Sequence, residues 1–327
     1  MEIDKSIKDI VDQISKKFGP GSAFLLSDDV VPCNVRNWVS TGVVGVDHAI
    51  HRPGIPVGRI TEIFGKESSG KSTLAMSILA ETQKVGGVAV LIDTENAYDP
   101  IWAKKNGVQN ESLITLQPGT LEEVFERIRF IAEYVKEKGT EKIVTIVLDS
   151  LAATPTQAEV EAGDSSSVIA AQARVLSPAL RKVAKVIQEL NVALIIVNQL
   201  RESVGIMFGS TDHSPGGRAL RHHAVLRLKV DFKKRVQEQG KVVGVESVVR
   251  VVKNKVAAPF GEATLRISFE RGILKRESVV ETGKRLGLLE ARGGWYYFGD
   301  GNKGYRLNEI PDEVLNGIES QIREVIK

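Results

Sequence analysis

The sequence predicts an α/β fold: a core with a mostly parallel central sheet, preceded by an N-terminal helical arm and followed by a small α+β C-terminal domain. Three observations carry the prediction. From about residue 58 to 260, short apolar runs rich in β-branched residues alternate with helical stretches, the pattern of parallel βαβ units with helices on both faces. Residues 3–18 repeat apolar side chains at three- and four-residue steps, which makes an amphipathic helix. Beyond residue 270, an aromatic hairpin-like piece precedes one last helical pattern.

The arm comes first in the chain. Ile3, Ile7, Ile10, Val11, Ile14 and Phe18 form its stripe, and Gly19-Pro20-Gly21 stops it. Such a stripe packs either on the protein's own core or on a neighbouring subunit, and the sequence leaves both open. RITEIF (59–64), VAVLID (88–93), KIVTIVLD (142–149) and VALIIVNQ (192–199) read as buried strands, with STLAMSILAETQKVG, LEEVFERIRFIAEYVKEKG and PALRKVAKVIQEL as helices between them. AVLRLKVDF and VESVVRVVKNK lack an intervening helix and predict antiparallel strands that extend the same sheet. GGWYYFGDG and PDEVLNGIESQIREVIK supply the hairpin and closing helix of the last unit. The domain boundaries are expected at 1–36, 37–270 and 271–327.

Composition narrows the classes. A chain of 327 residues with 42% hydrophobic and 26% charged residues buries a sizeable core. The lone Cys33 excludes an intramolecular disulfide framework and a cysteine-built zinc site. The charged N-terminus is no signal peptide, and no apolar run approaches the roughly 20 residues of a membrane span. The expected location is the cytoplasm, away from membranes. The 44 basic residues nearly balance the 41 acidic ones, but Arg218–Lys255 holds 11 basic against 3 acidic, an excess of eight. A run of this kind marks a nucleic-acid footprint or a solvated face.

The strongest motif is Gly65-Lys66-Glu67-Ser68-Ser69-Gly70-Lys71-Ser72, followed by Thr73, set between a strand and a helix as a phosphate-binding loop requires. Glycines let the backbone wrap close to phosphate, and exposed N–H groups at the helix start attract negative charge. Lys71 reaches the β- and γ-phosphates of ATP, and the Ser72 hydroxyl holds Mg²⁺. Asp149 ends an apolar strand and fits a carboxylate that binds Mg²⁺ through water; its other reading is a cap on the next turn. Glu95 follows VAVLID and can polarise the attacking water as general base, unless it is a solvated loop glutamate. Gln199 ends VALIIVNQ, where an amide can sense the γ-phosphate, or is a routine polar terminus.

GKESSGKST, DTENAYDPIWAKKNG, VLDSLAA, VNQLRESVGIMFGS, GGRALRHHAVLRL and VVKNKVAAPF stand in the order and spacing of the bacterial-type RecA recombinases, which the chain resembles from about residue 37 to 305. The resemblance implies a RecA-type phosphate-loop core, and a protein that filaments on single-stranded DNA, pairs it with homologous duplex and hydrolyses ATP when DNA is bound. It implies Glu95 as catalytic glutamate, Gln199 as the switch between ATP and DNA, and Asp99 and Trp102 at the adenine. It makes residues around 160–170 and 200–214 the two DNA loops, and puts Arg174, Arg181, Arg201, Gly216 and Gly217 near the DNA backbone. Lys253 and Lys255 match lysines that reach ATP on the adjoining subunit. The arm is then a subunit-docking element, residues 271–327 a duplex-binding domain, and a LexA-like repressor of the SOS response a further partner whose activation the sequence leaves open. Met207 and Phe208, apolar in a polar loop, either stack on bases or anchor the loop.

Departures from the family pattern are specific. The stretch from Asp164 to Arg174 is two residues longer than expected. Pro178 predicts a kink or a later helix start. His222 stands where an aromatic residue is usual at the subunit contact, Asn96 where a histidine is usual, and the usual acidic tail is absent, which predicts less restrained duplex binding and a divergent copy, chromosomal or phage-borne. Two rival readings are a RecA-fold paralogue acting as mediator or DNA motor, which normally adds a four-cysteine module, and a regulatory ATP-binding protein without strand exchange.

Overall fold

The structure, a computed structural model, describes residues 5–19, 22–25, 34–162, 168–202, 212–213, 217–299 and 304–326. The chain divides into two compact units, 1–36 and 37–327. In the first, α1 (Lys5–Phe18) follows the predicted periodicity, and none of its residues is buried. Among the described residues, no helix is long and apolar enough to cross a membrane.

The second unit is organised by a nine-stranded sheet. Its strands are β1 (Ile60–Gly65), β2 (Val88–Asp93), β3 (Leu113–Leu116), β4 (Val144–Asp149), β5 (Val192–Gln199), β6 (Leu226–Glu238), β7 (Lys241–Asn254), β8 (Glu262–Ser268) and β9 (Gly272–Ile273). They lie side by side in the order β9-β8-β7-β6-β1-β5-β4-β2-β3. The block from β6 to β3 is parallel, and β6 through β9 are joined antiparallel, as the helix-free stretch predicted. The helices of this unit are α2 (Val44–Ile50), α3 (Lys71–Lys84), α4 (Pro100–Lys105), α5 (Leu121–Lys138), α6 (Gln157–Ala162), α7 (Val168–Ile187), α8 (Gly217–His223), α9 (Lys275–Arg285) and α10 (Asp312–Val325).

Both faces of the central strands are dry, which is why those runs read as continuous apolar sequence. Leu91, Val147, Ile195 and Val197 pack with Leu74, Ile78 and Leu79 of α3. Their strand neighbours Val90, Ile92, Ile146, Leu148, Leu194 and Ile196 pack on the other side with Val124 and Ile128 of α5 and Leu176, Leu180, Val183 and Ile187 of α7. The spacing of these α7 residues is helical throughout, and α7 runs unbroken across Pro178. A later helix start is therefore not what forms; proline deprives the Arg174 carbonyl of its i+4 donor, and packing of the apolar stripe outweighs that loss.

The last unit predicted from sequence has its own core of Val279, Val280, Leu289, Ile310, Leu315, Ile318 and Ile322, which Val44 of α2 joins. Its short strands Leu289–Arg292, Trp295–Phe298 and Gly304–Tyr305 form a separate sheet. Asp47 of α2 is fully buried and accepts from the Ser40 hydroxyl at 2.6 Å and the Thr41 hydroxyl at 2.6 Å, with Arg323 of α10 at 3.4 Å.

Candidate nucleotide site

In a parallel sheet the carboxyl ends of the strands form one edge, and loops gather there. Four adjacent strands, β1, β5, β4 and β2, bring to that edge the glycine-rich loop, Gln199, Asp149 and Glu95 in that order. Register fixes their height: Gly65 pairs with Gln199 and Asp93 with Asp149. A cavity of about 290 Å³ lies among them, lined by Glu67, Ser68, Lys71, Ser72, Glu95, Asp149, Ser150, Val197 and Gln199. A larger cleft, about 710 Å³, opens elsewhere, along the ends of β6, β7 and β8, and its walls mix Lys234, Arg235 and Arg266 with Glu238 and Glu246.

The loop is held from below and left open above. Ser69 is fully buried; its hydroxyl donates to the Lys66 carbonyl at 2.8 Å, and its own carbonyl accepts from the Ser247 hydroxyl of β7 at 2.8 Å. Gly70 precedes α3 at φ +97°, and a Cβ there would come within 2.5 Å of Ile267 Cδ1. Only glycine fits that combination of backbone and space. Gly70 gives α3 no side-chain cap, so the first N–H groups of the helix remain available to an anion. The Lys71 ammonium donates to the Lys66 carbonyl at 2.7 Å, and burial holds it below the usual lysine range against the pull of Asp149, Glu95 and Glu67.

Ser72 is hydrogen-bonded to Asp149, and burial raises that carboxyl to about 6, with Glu95 and Asp93 adding to the rise. A hydroxyl and a carboxylate this close suit a hard divalent cation, which prefers oxygen ligands. Glu95 is exposed, yet it is tied to its neighbours across the cavity. Its Oε1 accepts from the buried Ser150 hydroxyl and from Gln199 Nε2 at 3.1 Å. The loop that carries it is shaped by Asp93, whose oxygens accept the Ala97 N–H at 3.3 Å and the Tyr98 N–H at 3.1 Å. Asn96 takes φ +53°, a left-handed conformation that asparagine tolerates.

Asp99 is exposed and caps α4, accepting from the Ile101 N–H at 2.8 Å and the Trp102 N–H at 3.1 Å. That cap orients Trp102, whose Nε1 donates to the Thr73 hydroxyl at 3.3 Å, so the indole lies beside the first turn of α3.

Lys253 and Lys255 do not join this edge. β7 runs antiparallel to β6, so its end lies at the opposite edge of the sheet: Lys253 pairs with Arg227, which pairs with Glu62. The Lys253 ammonium donates to the carbonyls of Arg221 at 2.6 Å and His222 at 3.1 Å, and burial, then Lys255 and Arg227, holds it below the usual lysine range.

Arg174 and Arg181 are exposed and, seven residues apart, share a face of α7. Arg201 lies in a two-residue strand with Glu202 that pairs with Asp212–His213, and Gly217 opens α8. Met207, Phe208 and Gly216 lie outside the described residues, as do residues 163–167 of the first loop. The basic run of 218–255 is less free than its composition suggests, because at least five of its eleven cations are ion-paired among the described residues: Arg227 with Glu62, Lys229 and Arg250 with Asp231, and Lys233 and Lys234 with Glu246. The motif reading missed Ser150, Asp93 and Ser247; each is an ordinary residue type whose role comes only from what the fold sets beside it.

The RecA N-terminal domain family matches residues 5–274. Proteins named Protein RecA are similar over nearly the whole chain. That of Clostridium perfringens strain SM101 is 40% identical over 327 residues, covering 98% of this chain and 90% of the relative. That of Caldanaerobacter subterraneus subsp. tengcongensis is 39% identical over 330 residues, covering 99% and 94%. That of Clostridium botulinum strain Alaska E43 is 41% identical over 327 residues, covering 98% and 89%.

Proposed function

The chain belongs to the RecA family of recombinases, and from that premise we propose that it filaments on single-stranded DNA, pairs it with homologous duplex, and hydrolyses Mg²⁺-ATP when DNA aligns its subunits. The observation that carries the reading is the separation of Lys253 and Lys255 from the phosphate loop of their own chain, combined with the completeness of the rest of the site. A cation at the far edge of the sheet serves a nucleotide bound to the next subunit, which makes hydrolysis depend on assembly.

In this reading the N–H groups of residues 66–72 and the Lys71 ammonium cradle the phosphates, Lys71 giving up its bond to the Lys66 carbonyl. Ser72 and Asp149 would hold Mg²⁺, which would neutralise phosphate charge during transfer. Trp102 lies where it can stack on adenine, and the Asp99 cap keeps it there. Glu95 orients and deprotonates the attacking water through Oε2, since both of its hydrogen bonds fall on Oε1. Gln199 exchanges its bond to Glu95 for one to the γ-phosphate, and so reports the nucleotide to the segment that starts at residue 200. Arg174, Arg181, Arg201, Met207, Phe208, Gly216 and Gly217 contact DNA. The apolar stripe of α1, with Ile7, Ile10 and Phe18 exposed, docks on another copy of the chain.

The deciding experiment is ATP hydrolysis with and without single-stranded DNA, with filaments imaged by electron microscopy. Slow turnover alone and strong acceleration by DNA are expected. Equal turnover in both conditions at low salt sinks the proposal.

A further inference from the structure

A chain of polar contacts crosses the sheet beneath α7 and α8. Arg227 on β6, Glu62 on β1 and Asn198 on β5 occupy adjacent strands, and all three project to one side, since Leu226, Leu228, Ile63 and Val197 beside them belong to the core of the other. Glu62 and Asn198 are wholly buried. Arg227 Nε donates to Glu62 Oε2 at 2.5 Å, Asn198 Nδ2 donates to Glu62 Oε1 at 3.2 Å, and Asn198 Oδ1 accepts the Gln199 backbone N–H at 3.1 Å. At the other end Arg227 lies over the Phe64 ring, 4.4 Å from its centre, and is the cross-strand partner of Lys253.

A carboxylate in the middle of a dry central strand is not there for stability, because an apolar side chain of similar volume does as well. What Glu62 does uniquely is fasten two things at once. One oxygen holds the end of β5, where Gln199 meets the nucleotide edge. The other holds Arg227 and, through it, the edge that carries Lys253.

The geometry points to Glu62 as a positioning residue that makes Gln199 and the Lys253 edge move as one body, so that the nucleotide state of one subunit sets the cation it offers to the next. The inference rests on the reading above that Gln199 senses the chain's own γ-phosphate and Lys253 serves a neighbour's. Loss of either bond leaves an oxygen of the buried Glu62 carboxylate uncompensated, so a displacement of Gln199 is passed on rather than absorbed.

The test compares the full chain with Glu62→Gln, Asn198→Ser and the exchange Glu62→Gln/Asn198→Asp. In Glu62→Gln an amide donor faces another donor, and the chain of contacts breaks. In the exchange, the new carboxylate at 198 accepts from the glutamine amide and from the Gln199 N–H, while the glutamine oxygen still accepts from Arg227. Two readouts are taken: the Hill coefficient for ATP in hydrolysis on saturating single-stranded DNA, and the preference of DNA binding for ATP over ADP. Binding of a fluorescent ATP analogue without DNA checks the nucleotide site itself. Both single variants are expected to bind the analogue within about twofold of the parent, to show a Hill coefficient near one, and to lose about tenfold in the ATP-over-ADP preference, with the exchange regaining both. Single variants that fold and keep the parental cooperativity overturn the inference, as does an exchange that folds but stays uncoupled. Weaker analogue binding or loss of fold in both single variants assigns the network to structure alone and also overturns it. If only Glu62→Gln fails to fold, Asn198→Ser, which leaves the Arg227 pair intact, decides the matter on the same readouts. A parent without DNA-stimulated hydrolysis overturns the functional reading itself, which keeps the two failures apart.

Discussion

On the proposed reading, replacing Lys253 by alanine leaves the phosphate loop of its own chain complete and removes a cation from a neighbour. Lys253 stands level with Glu62, two strands away and three residues short of Gly65. Two strand spacings and three residues of rise put its Cα about 14 Å from Gly65, while a lysine side chain extends only about 6 Å. Lys255, two residues farther along the same direction, lies about 19 Å from Gly65. Removing a cation that acts in trans on phosphoryl transfer costs about 10³- to 10⁵-fold in rate. The assay that separates trans from cis action is mixing. Lys253→Ala supplies sites with an intact Glu95, and Glu95→Gln supplies intact lysines; each is nearly inactive alone. In a randomly mixed head-to-tail filament at equal amounts, about one interface in four pairs a good site with a good lysine, so about one quarter of parental turnover on DNA should return. A mixture no more active than the sum of its parts would refute the argument from register.

Three further outcomes follow from the same geometry. Glu95→Gln should keep nucleotide binding and filament formation while hydrolysis falls by about 10²- to 10⁴-fold, measured by single-turnover kinetics; failure to bind nucleotide would give Glu95 another role. Gln199→Ala should retain ATP binding without DNA but lose most of the mutual enhancement between ATP and DNA, read by fluorescence anisotropy with ADP and a non-hydrolysable analogue; an unchanged ATP-to-ADP ratio would mean the switch lies elsewhere. The buried Asp47 carboxyl is raised to about 6, burial outweighing the hydrogen bonds from Ser40 and Thr41 and the charge of Arg323. A raised acid binds its proton more tightly in the folded chain, so its contribution to stability grows as pH falls from about 6 towards 4 and is lost as pH rises through that window, at no more than about 1.4 kcal/mol per pH unit. Urea denaturation at pH 4.5 and 7 should show the parent gaining on Asp47→Asn at the lower pH; an equal difference at both would contradict it.

What the sequence disclosed, and what it did not, divides along a physical line. The parallel block was legible because strands dry on both faces must be apolar throughout, and VALIIVNQ corresponds residue for residue to β5. Short elements were not legible: LITL of β3 is only four residues long and half exposed at the sheet edge, and α2 is seven residues long. Of the site, Gly70, Lys71 and Ser72 were readable because phosphate binding constrains residue type and spacing together. Asp149, Glu95 and Gln199 were readable only as polar residues at strand ends, each with a bland alternative. The sheet order β1-β5-β4-β2 adds what type could not, because it sets the three side by side although they are dispersed over more than a hundred residues of chain. Glu62 shows the limit of reading by type: RITEIF reads as a buried strand and nothing in it gives its one carboxylate a role, yet that carboxylate is wholly buried and bonded at both oxygens. Its meaning comes from Asn198 and Arg227, 136 and 165 residues away, and only the register that joins β5, β1 and β6 brings them together. The same register puts Lys253 at the edge opposite the phosphate loop, and so turns a pair of lysines in VVKNK into an argument that this site is completed by another copy of the chain.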